Sequence, residues 1–346
     1  MKPRYRYCLA AAAAATLAIA GPAAAPAFAA GTPLPAHVYA PYYETYLAPN
    51  TPTITAEAQS SGARYFSLAF LQATSRGSCS IDWNSNSSQP LNYYNSDIAS
   101  LRALGGDVIP TFGGYSADQG GTEIADACTN VSQIAADYEQ VITTLGVTRL
   151  DMDVEAKSLN NTAGINRRNQ ALAMVQSWAA ANGIPLQIEY TLPVEQYGLD
   201  ANGLAVLQSA VANGVTVHTV NIMVFDYYIA GEGVVNMGQA AINAANNTEA
   251  QLQTLYPNDT AAQLYAMEGM TMLPGIDDYP KKTEVTYLPD AQNMLSFAQG
   301  KGLNTLSIWA IQRDNGGCPG TRDSNTCSGI VQNTWDFSHT LEPFTG

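Results

Sequence analysis

Three carboxyl groups stand at alternating positions of one short segment. Asp151, Asp153 and Glu155 lie two residues apart within residues 147–155 (VTRLDMDVE), which we interpret as a strand. Because side chains alternate between the two faces of a strand, these carboxyls share one face, about 6.5–7 Å apart. Like charges in a poorly solvated place raise one another's pKa. The row therefore indicates a carboxyl that stays protonated near neutral pH and acts as an acid.

Two other interpretations of this acid row are weighed. Calcium binding is suggested by the D-x-D-x-E spacing, but Ala156 replaces the glycine of a calcium loop and Thr162 replaces its closing acid. The second is a buried, hydrogen-bonded acid cluster without a function. We favour acid catalysis. In this interpretation Glu155, at the end of the strand, donates the proton, and the other two acids support it from deeper in the fold.

The remaining sequence predicts the elements that position the row. Eight apolar, β-rich runs alternate with segments of helical period. Strand and helix in this alternation predict parallel βαβ units, and eight such units close into a (β/α)8 barrel. A doubly wound open sheet is the alternative arrangement. The runs are 38–47, 65–73, 107–115, 147–155, 185–193, 215–228, 269–276 and 304–313, and the helical segments include 98–104, 131–145, 167–181, 203–212 and 290–299.

A glycine recurs between each of five helical segments and the run that follows it. These residues are Gly105, Gly146, Gly183, Gly214 and Gly302. Glycine accepts the left-handed conformation that ends helices, so each is predicted to end its helix. The repeat favours an α/β fold with a single barrel domain over residues 30–346.

The ends of the predicted strands are rich in aromatic and acidic residues. In a barrel, sites are built where strands run into the following loops. Tyr115, Asp226, Tyr227 and Trp309 lie at such ends, and this rim has the composition of a carbohydrate cleft. Trp83, in the polar loop 82–89, either extends the cleft or packs against the loop near a disulfide.

Four motifs in the expected order resemble the family 18 glycoside hydrolases, the chitinase family. The acid row matches the last three acids of the family's D-G-x-D-x-D-x-E strand, although Thr148 and Arg149 replace its first Asp and Gly. Residues 112–115 (FGGY) resemble S-x-G-G, residues 223–226 (MVFD) resemble M-x-Y-D, and Trp309 matches the tryptophan of the eighth strand. Residues 40–42 (APY) resemble the first strand of compact secreted chitinases.

The resemblance implies a role for each matching residue. Glu155 protonates the leaving sugar, and the 2-acetamido carbonyl of the substrate acts as nucleophile, so that the configuration is retained. Asp153 bonds the acetamide, and Asp151 shares a proton with it. Asp226 positions the acetamido group, and Trp309 forms the floor of the site.

Further substrate-binding residues are expected from the same motifs. They are Tyr42, Gly113, Gly114, Tyr115 and Trp83. Phe225 stands where the family has a tyrosine, and Tyr227 or Tyr228 could supply the missing hydroxyl. Tyr227 shares the strand parity of Phe225, so we expect it in this role.

The resemblance predicts a retaining chitinase acting on β-1,4-linked N-acetylglucosamine. An endo-β-N-acetylglucosaminidase acting on the N-glycan core and a non-catalytic chitin-binding lectin are the alternatives. No cofactor and no metal are expected. A monomer is the default for such barrels.

Charge and the first residues predict the compartment. Residues 1–29 resemble a signal peptide, with a basic start, an apolar run and a small-x-small end. Removing its three basic residues changes the formal charge from −14 to about −17. So acidic a surface excludes nucleic acid and anionic membranes as partners. We expect a secreted, extracellular protein.

Four cysteines remain after the predicted cleavage. In an oxidising compartment they are expected to form two disulfides, and three pairings are possible. We favour Cys318 with Cys327, which closes a short loop, and Cys79 with Cys128. Zinc is disfavoured because the chain has no C-x-x-C and three histidines.

Overall fold

The structure is a computed structural model that describes Met1 and residues 34–227, 236–278, 284–322 and 324–346. The predicted signal peptide, apart from Met1, lies outside these residues, as does Tyr228. Each of the eight predicted runs contains at least one strand. The strands are β1 Val38–Tyr39, β2 Tyr42–Glu44, β3 Tyr65–Ala73, β4 Ile81–Trp83, β5 Asp107–Gly113, β6 Arg149–Asp153, β7 Gln187–Pro193, β8 Val217–Met223, β9 Glu268–Met272, β10 Gly275–Ile276, β11 Val285–Thr286 and β12 Thr305–Ile308.

Helices follow the barrel strands and cover their outer faces. All five glycines predicted to end helices have positive φ, between 67° and 83°. The helices are α1 Ile54–Ser61, α2 Asn95–Ala103, α3 Tyr115–Gly120, α4 Ile124–Ala127, α5 Val131–Leu145, α6 Thr162–Ala181, α7 Ala201–Ala212, α8 Met237–Leu255, α9 Ala261–Tyr265, α10 Leu288–Lys301 and α11 Asp336–Leu341. Four 3₁₀ turns are also described, at Thr45–Leu47, Ser158–Asn160, Ile311–Arg313 and Glu342–Phe344. None of the helices within the described ranges is long and apolar enough to span a bilayer.

The sheet closes on itself through its first strand. The strand order is β1-β12-β9-β8-β7-β6-β5-β3-β2, and every pair along it is parallel. β1 pairs with β12 and β2 pairs with β3, while Pro41, which has no N–H to donate, separates the two halves of this first strand. The predicted (β/α)8 barrel is confirmed, and the open doubly wound sheet is not found.

The acid strand β6 buries both of its faces. Leu150, Met152 and Val154 are buried on the face that packs in the main apolar core. Asp151 and Asp153 are buried on the other face, inside the barrel. That interior is polar, because serine, threonine, asparagine and tyrosine side chains from the neighbouring strands point into it and bond one another, as in the contacts of Asn221 with Tyr42, Thr191 and Thr271. These hydrogen bonds satisfy groups whose burial would otherwise be costly.

Two disulfides close surface loops. Cys79 is bonded to Cys128, and Cys318 is bonded to Cys327. Both favoured pairings are therefore confirmed. The second ties the loop that follows the last barrel strand, next to the site described below.

Candidate active site

Asp151 lies deepest in the acid row, and both of its carboxylate oxygens accept hydrogen bonds. Its Oδ2 accepts from Tyr42 Oη at 2.8 Å and from Thr111 Oγ1 at 3.0 Å, and its Oδ1 accepts from Thr191 Oγ1 at 2.8 Å. Burial raises the pKa of Asp151 to about 6, although the three hydroxyl donors hold it down. Asp151 therefore exchanges its proton within the neutral range.

Asp153 is buried with less support. Its Oδ1 has no hydrogen-bond partner among the described residues. Burial, followed by the nearby charges of Glu155, Asp151 and Asp118, raises its pKa well above the usual range. Asp153 therefore holds a proton more tightly than an ordinary carboxyl does, and one of its oxygens is available to a bound molecule.

Glu155 follows β6 and is half-buried at the mouth of the barrel. Burial raises its pKa to about 7, and a hydrogen bond from the backbone N–H of Tyr115 lowers it. Its own N–H donates to Asp118 Oδ2 at 2.5 Å. A carboxyl with a pKa near 7 at a strand end can supply a proton at neutral pH.

A cleft of about 670 Å³ opens above these acids. Six of the predicted site residues line it: Tyr42, Tyr115, Asp153, Glu155, Asp226 and Trp309. Asp151 lies beneath, where Tyr42 connects it to the cleft wall. The structure thus brings the predicted acids together with the predicted aromatic residues.

The floor of the cleft is aromatic. The ring of Trp309 stacks on that of Phe70, with centroids 5.4 Å apart and an interplanar angle of 25°. Tyr42 meets the same indole edge-on at 5.5 Å. Trp309 is held on one side by this packing and lines the cleft with its remaining surface, as an aromatic platform does.

Asp226 lines the same cleft as Asp153 and Glu155, from the segment that follows β8, two strands away from β6. Its backbone is left-handed, with φ of 49°, and its N–H donates to Asp277 Oδ2 at 3.0 Å. Burial raises its pKa to about 9, helped by a side-chain hydrogen bond with Asp277 and by the charges of Asp277, Asp278 and Glu155. Asp226 therefore holds a proton at neutral pH.

Two aromatic residues that were predicted to bind substrate do not reach the cleft. Trp83 is fully buried on β4, where its Nε1 donates to the carbonyl of Leu91 and its ring packs edge-on against Tyr94. The prediction that it extends the cleft is wrong. Tyr227 is also fully buried, and its hydroxyl has no partner in the described part of the chain. It does not line the cleft, so it cannot replace the hydroxyl missing at Phe225.

Gly113 and Gly114 allow neighbouring residues of the site to pack closely against their backbone. Both have positive φ, and a Cβ on Gly113 would lie 2.1 Å from the carbonyl oxygen of Asp153. A Cβ on Gly114 would lie 2.5 Å from the ring of Phe70. The two glycines let the acid strand and the aromatic floor pack against this loop, and neither lines the cleft.

The structure adds cleft residues that the motifs did not indicate. Tyr46 and Asn325 bond each other across the rim, with Asn325 Nδ2 donating to Tyr46 Oη at 3.3 Å. Asp278, also on the rim, pairs with the buried Arg313 at 3.3 Å. Tyr46 could have been predicted from the sequence, because it lies in the first predicted run. Asn325 could not, because it reaches the cleft on the loop closed by the disulfide between Cys318 and Cys327. The full additional set is Tyr46, Phe70, Gln72, Asn84, Ser116, Thr191, Thr271, Asp278 and Asn325, and Met223 and Phe225 of the MVFD motif also line the cleft.

Metal ligands are not assembled here: within the described ranges, no group of three histidine, cysteine or acidic side chains could hold a metal ion. The cleft itself presents carboxyl groups and an aromatic floor.

Known proteins that are similar to this chain include chitinases. No family model matches the chain. It is 34% identical over 328 residues to the probable bifunctional chitinase/lysozyme of Escherichia coli K12, which covers 91% of this chain and 36% of that protein. It is 35% identical over 298 residues to endochitinase 11 of Metarhizium anisopliae, which covers 82% of this chain and 54% of that protein.

Solved structures agree with these relatives. Two sets of catalytic-site mutants of active domain 2 of the Pyrococcus furiosus chitinase, one complexed with chito-oligosaccharides, superpose with TM-scores of 0.79 and 0.77. Each is 28% identical and covers 91% of this chain and 96% of that chain. In sequence and in fold, the chain is similar to these chitinases. It spans about a third and about a half of the two curated relatives, but nearly all of the solved Pyrococcus domain.

Proposed function

We propose that this chain is a family 18 chitinase that hydrolyses β-1,4 bonds between N-acetylglucosamine units. The observation that carries the proposal is the convergence of Glu155, Asp153, Asp226 and Trp309 on one cleft. The names of the relatives and the chito-oligosaccharide complex of the Pyrococcus domain support it.

Glu155 is the proton donor in this proposal. It lines the cleft at a strand end, and burial keeps its pKa at about 7. It therefore carries a proton over much of the neutral range and can transfer it to the glycosidic oxygen as the bond breaks. The leaving sugar departs as a neutral alcohol.

The substrate itself supplies the nucleophile. The 2-acetamido carbonyl oxygen attacks the anomeric carbon as the bond to the leaving sugar breaks, forming an oxazolinium ion. Water then attacks the anomeric carbon from the opposite face and gives its proton to the Glu155 carboxylate, so the acetamide is restored and the configuration is retained. Asp153 is the partner of the acetamide N–H, and its oxygen without a protein partner supports this role. Asp151 and Asp153 share one proton, which resides mainly on Asp153 because the hydroxyl donors around Asp151 stabilise the Asp151 anion.

The sugar at the cleaved bond stacks on Trp309 and has its acetamido group beside Asp226. Phe225 lines the same wall without a hydroxyl, so the hydrogen bond of a tyrosine to the acetamide oxygen is missing. The carboxyl of Asp226, protonated at neutral pH, is the polar group left on that wall near Glu155. We expect catalysis with a lower rate than a tyrosine would allow.

Replacement of Glu155 tests the proposal. Glu155→Gln keeps the shape of the side chain and removes the proton, so turnover of chitotetraose should fall by roughly 10²–10⁴-fold while oligosaccharide binding, measured by calorimetry, is kept. A wild-type chain that binds chito-oligosaccharides but releases no product at any pH would be a lectin. Cleavage of N-glycan cores without cleavage of chito-oligosaccharides would identify the endoglycosidase alternative.

We further propose that the chain is secreted. The two disulfides support an oxidising compartment. The mature protein should be recovered from the culture medium with its N-terminus near Ala30, as read by N-terminal sequencing. A chain retained in the cytoplasm with Met1 in place would contradict this.

A further inference from the structure

A fourth acid lies directly behind the proton donor. Asp118, on α3, is 1% exposed, and its Oδ2 accepts the backbone N–H of Glu155 at 2.5 Å. It belongs to none of the motifs by which the cleft was predicted. Its contact is with the main chain of Glu155, so it bears on where the catalytic carboxyl stands.

The hydrogen bonds between this helix and the acid strand run in both directions. Asp118 accepts from Glu155, and the backbone N–H of Tyr115, the first residue of α3, donates to the Glu155 carboxyl. A third bond joins Gly114 N to the carbonyl oxygen of Asp153 at 3.1 Å. Glu155 is therefore held at both its main chain and its side chain by one short segment.

Close packing against the loop restricts the position of the Asp118 side chain. The Cβ that Gly113 lacks would lie 3.3 Å from Asp118 Oδ1 and 2.1 Å from the Asp153 carbonyl oxygen. Asp118 Oδ1 itself has no hydrogen-bond partner among the residues that the structure describes. One oxygen of the buried carboxyl thus faces a packed wall, and the other is committed to Glu155.

The surroundings of Asp118 favour its uncharged form. Burial, followed by the charge of Glu123, raises its pKa well above the usual range, although Arg168 and the Glu155 N–H act against this. Arg168 is already paired with Glu123 at 3.0 Å. A neutral carboxyl can still accept the N–H through its carbonyl oxygen.

We propose that Asp118 is a positioning residue for the proton donor, fixing the main chain of Glu155 so that its carboxyl meets the glycosidic oxygen. This rests on the proposed role of Glu155. Asp118 touches neither the substrate nor the transferred proton. In the bond-breaking step, its effect is confined to substrates whose leaving group must be protonated.

Two variants of the same shape separate the acceptor from the packing. Asp118→Leu fills the site without an acceptor, whereas Asp118→Asn keeps an oxygen for the Glu155 N–H. Asp137→Leu, on α5, is the matched control, because Asp137 is also buried and bonds Gln133 away from the cleft.

The readout compares two substrates. Chitotetraose needs its leaving sugar protonated, whereas dinitrophenyl chitobioside releases a phenolate that does not. Asp118→Leu should lower kcat on chitotetraose by roughly tenfold or more with KM within about threefold. It should change the rate of dinitrophenolate release in the first turnover of the aryl glycoside little. Asp118→Asn should restore kcat on chitotetraose, and Asp137→Leu should match the wild type on both.

An equal loss on both substrates would overturn the proposal, since that is general damage to the fold. Wild-type kcat in Asp118→Leu, or no recovery in Asp118→Asn, would overturn it as well. If Asp118→Leu does not fold, judged by near-ultraviolet circular dichroism, Asp118→Ala takes its place in the comparison. Failure of the proposed function looks different, because the wild type would then cleave neither substrate.

Discussion

The hydroxyls around Asp151 make the stability of this barrel depend on pH in a way that one substitution can reveal. Thr111 pairs with Asp151 in the register of β5 and β6, is fully buried, and donates to Asp151 Oδ2 at 3.0 Å. Thr111→Val keeps the shape of this side chain and removes the donor. The substitution should lower the free energy of unfolding when Asp151 is ionised, since the hydrogen bond stabilises the anion.

The magnitude follows from the pKa of about 6 that burial sets on Asp151. A hydrogen bond to a charged group contributes about 1.5 kcal/mol, and 1.36 kcal/mol corresponds to about one pKa unit, so Thr111→Val should raise this pKa to about 7. The folded variant then binds its proton up to a higher pH than the folded wild type. Its deficit in the free energy of unfolding is therefore small below pH 6 and grows by about 1.5 kcal/mol as pH rises through 6 to 7.

Urea unfolding followed by tryptophan fluorescence at pH 5 and pH 8 measures this difference. Thr219→Val is the control, because Thr219 is equally buried in the barrel but donates to the uncharged amide oxygen of Asn304 at 2.9 Å. Its hydroxyl also bonds His218 Nδ1 at 2.9 Å, and burial lowers the pKa of His218 to about 4, below both pH values. Its cost should be the same at both pH values. A Thr111→Val deficit that is equal at the two pH values would refute the ionisation of Asp151 in the folded protein.

Three further predictions concern the cleft. The kcat on chito-oligosaccharides should fall above pH 7 as Glu155 loses its proton. Relative to the enzyme with Glu155 fully protonated, kcat should be about one tenth at pH 8 and about one hundredth at pH 9. A flat profile in this range would exclude Glu155 as the acid. Trp309→Ala should weaken binding of chitotetraose by about 2 kcal/mol, or about thirtyfold in calorimetry, and unchanged affinity would remove Trp309 from the floor. Tyr227→Phe should leave kcat unchanged, because the Tyr227 hydroxyl is buried away from the cleft; a clear loss of rate would restore it as the missing donor.

The elements of the fold could be predicted because their signals are local. Each barrel strand is a short β-rich run, and the glycines after the helices have the positive φ that their position requires. The common face of Asp151 and Asp153 follows from strand alternation, which holds within β6. These properties depend on nearest neighbours in the chain, and tertiary packing reinforced them.

The errors arose where the backbone leaves the regular strand. Tyr227 was assigned by parity with Phe225, but β8 ends at Met223 and Asp226 has a φ of 49°, so alternation fails there. Phe225 and Asp226, although adjacent, both line the cleft. Trp83 was misplaced because its polar neighbours suggest a loop, whereas an antiparallel pairing of β4 with β3 buries it.

The anomeric form of the first product tests the central claim most directly. Chitohexaose is digested and the new reducing end is followed by proton NMR before mutarotation. Retention through the acetamide predicts the β anomer as the initial product. An initial α anomer would contradict the substrate-assisted mechanism and the roles given to Glu155 and Asp153.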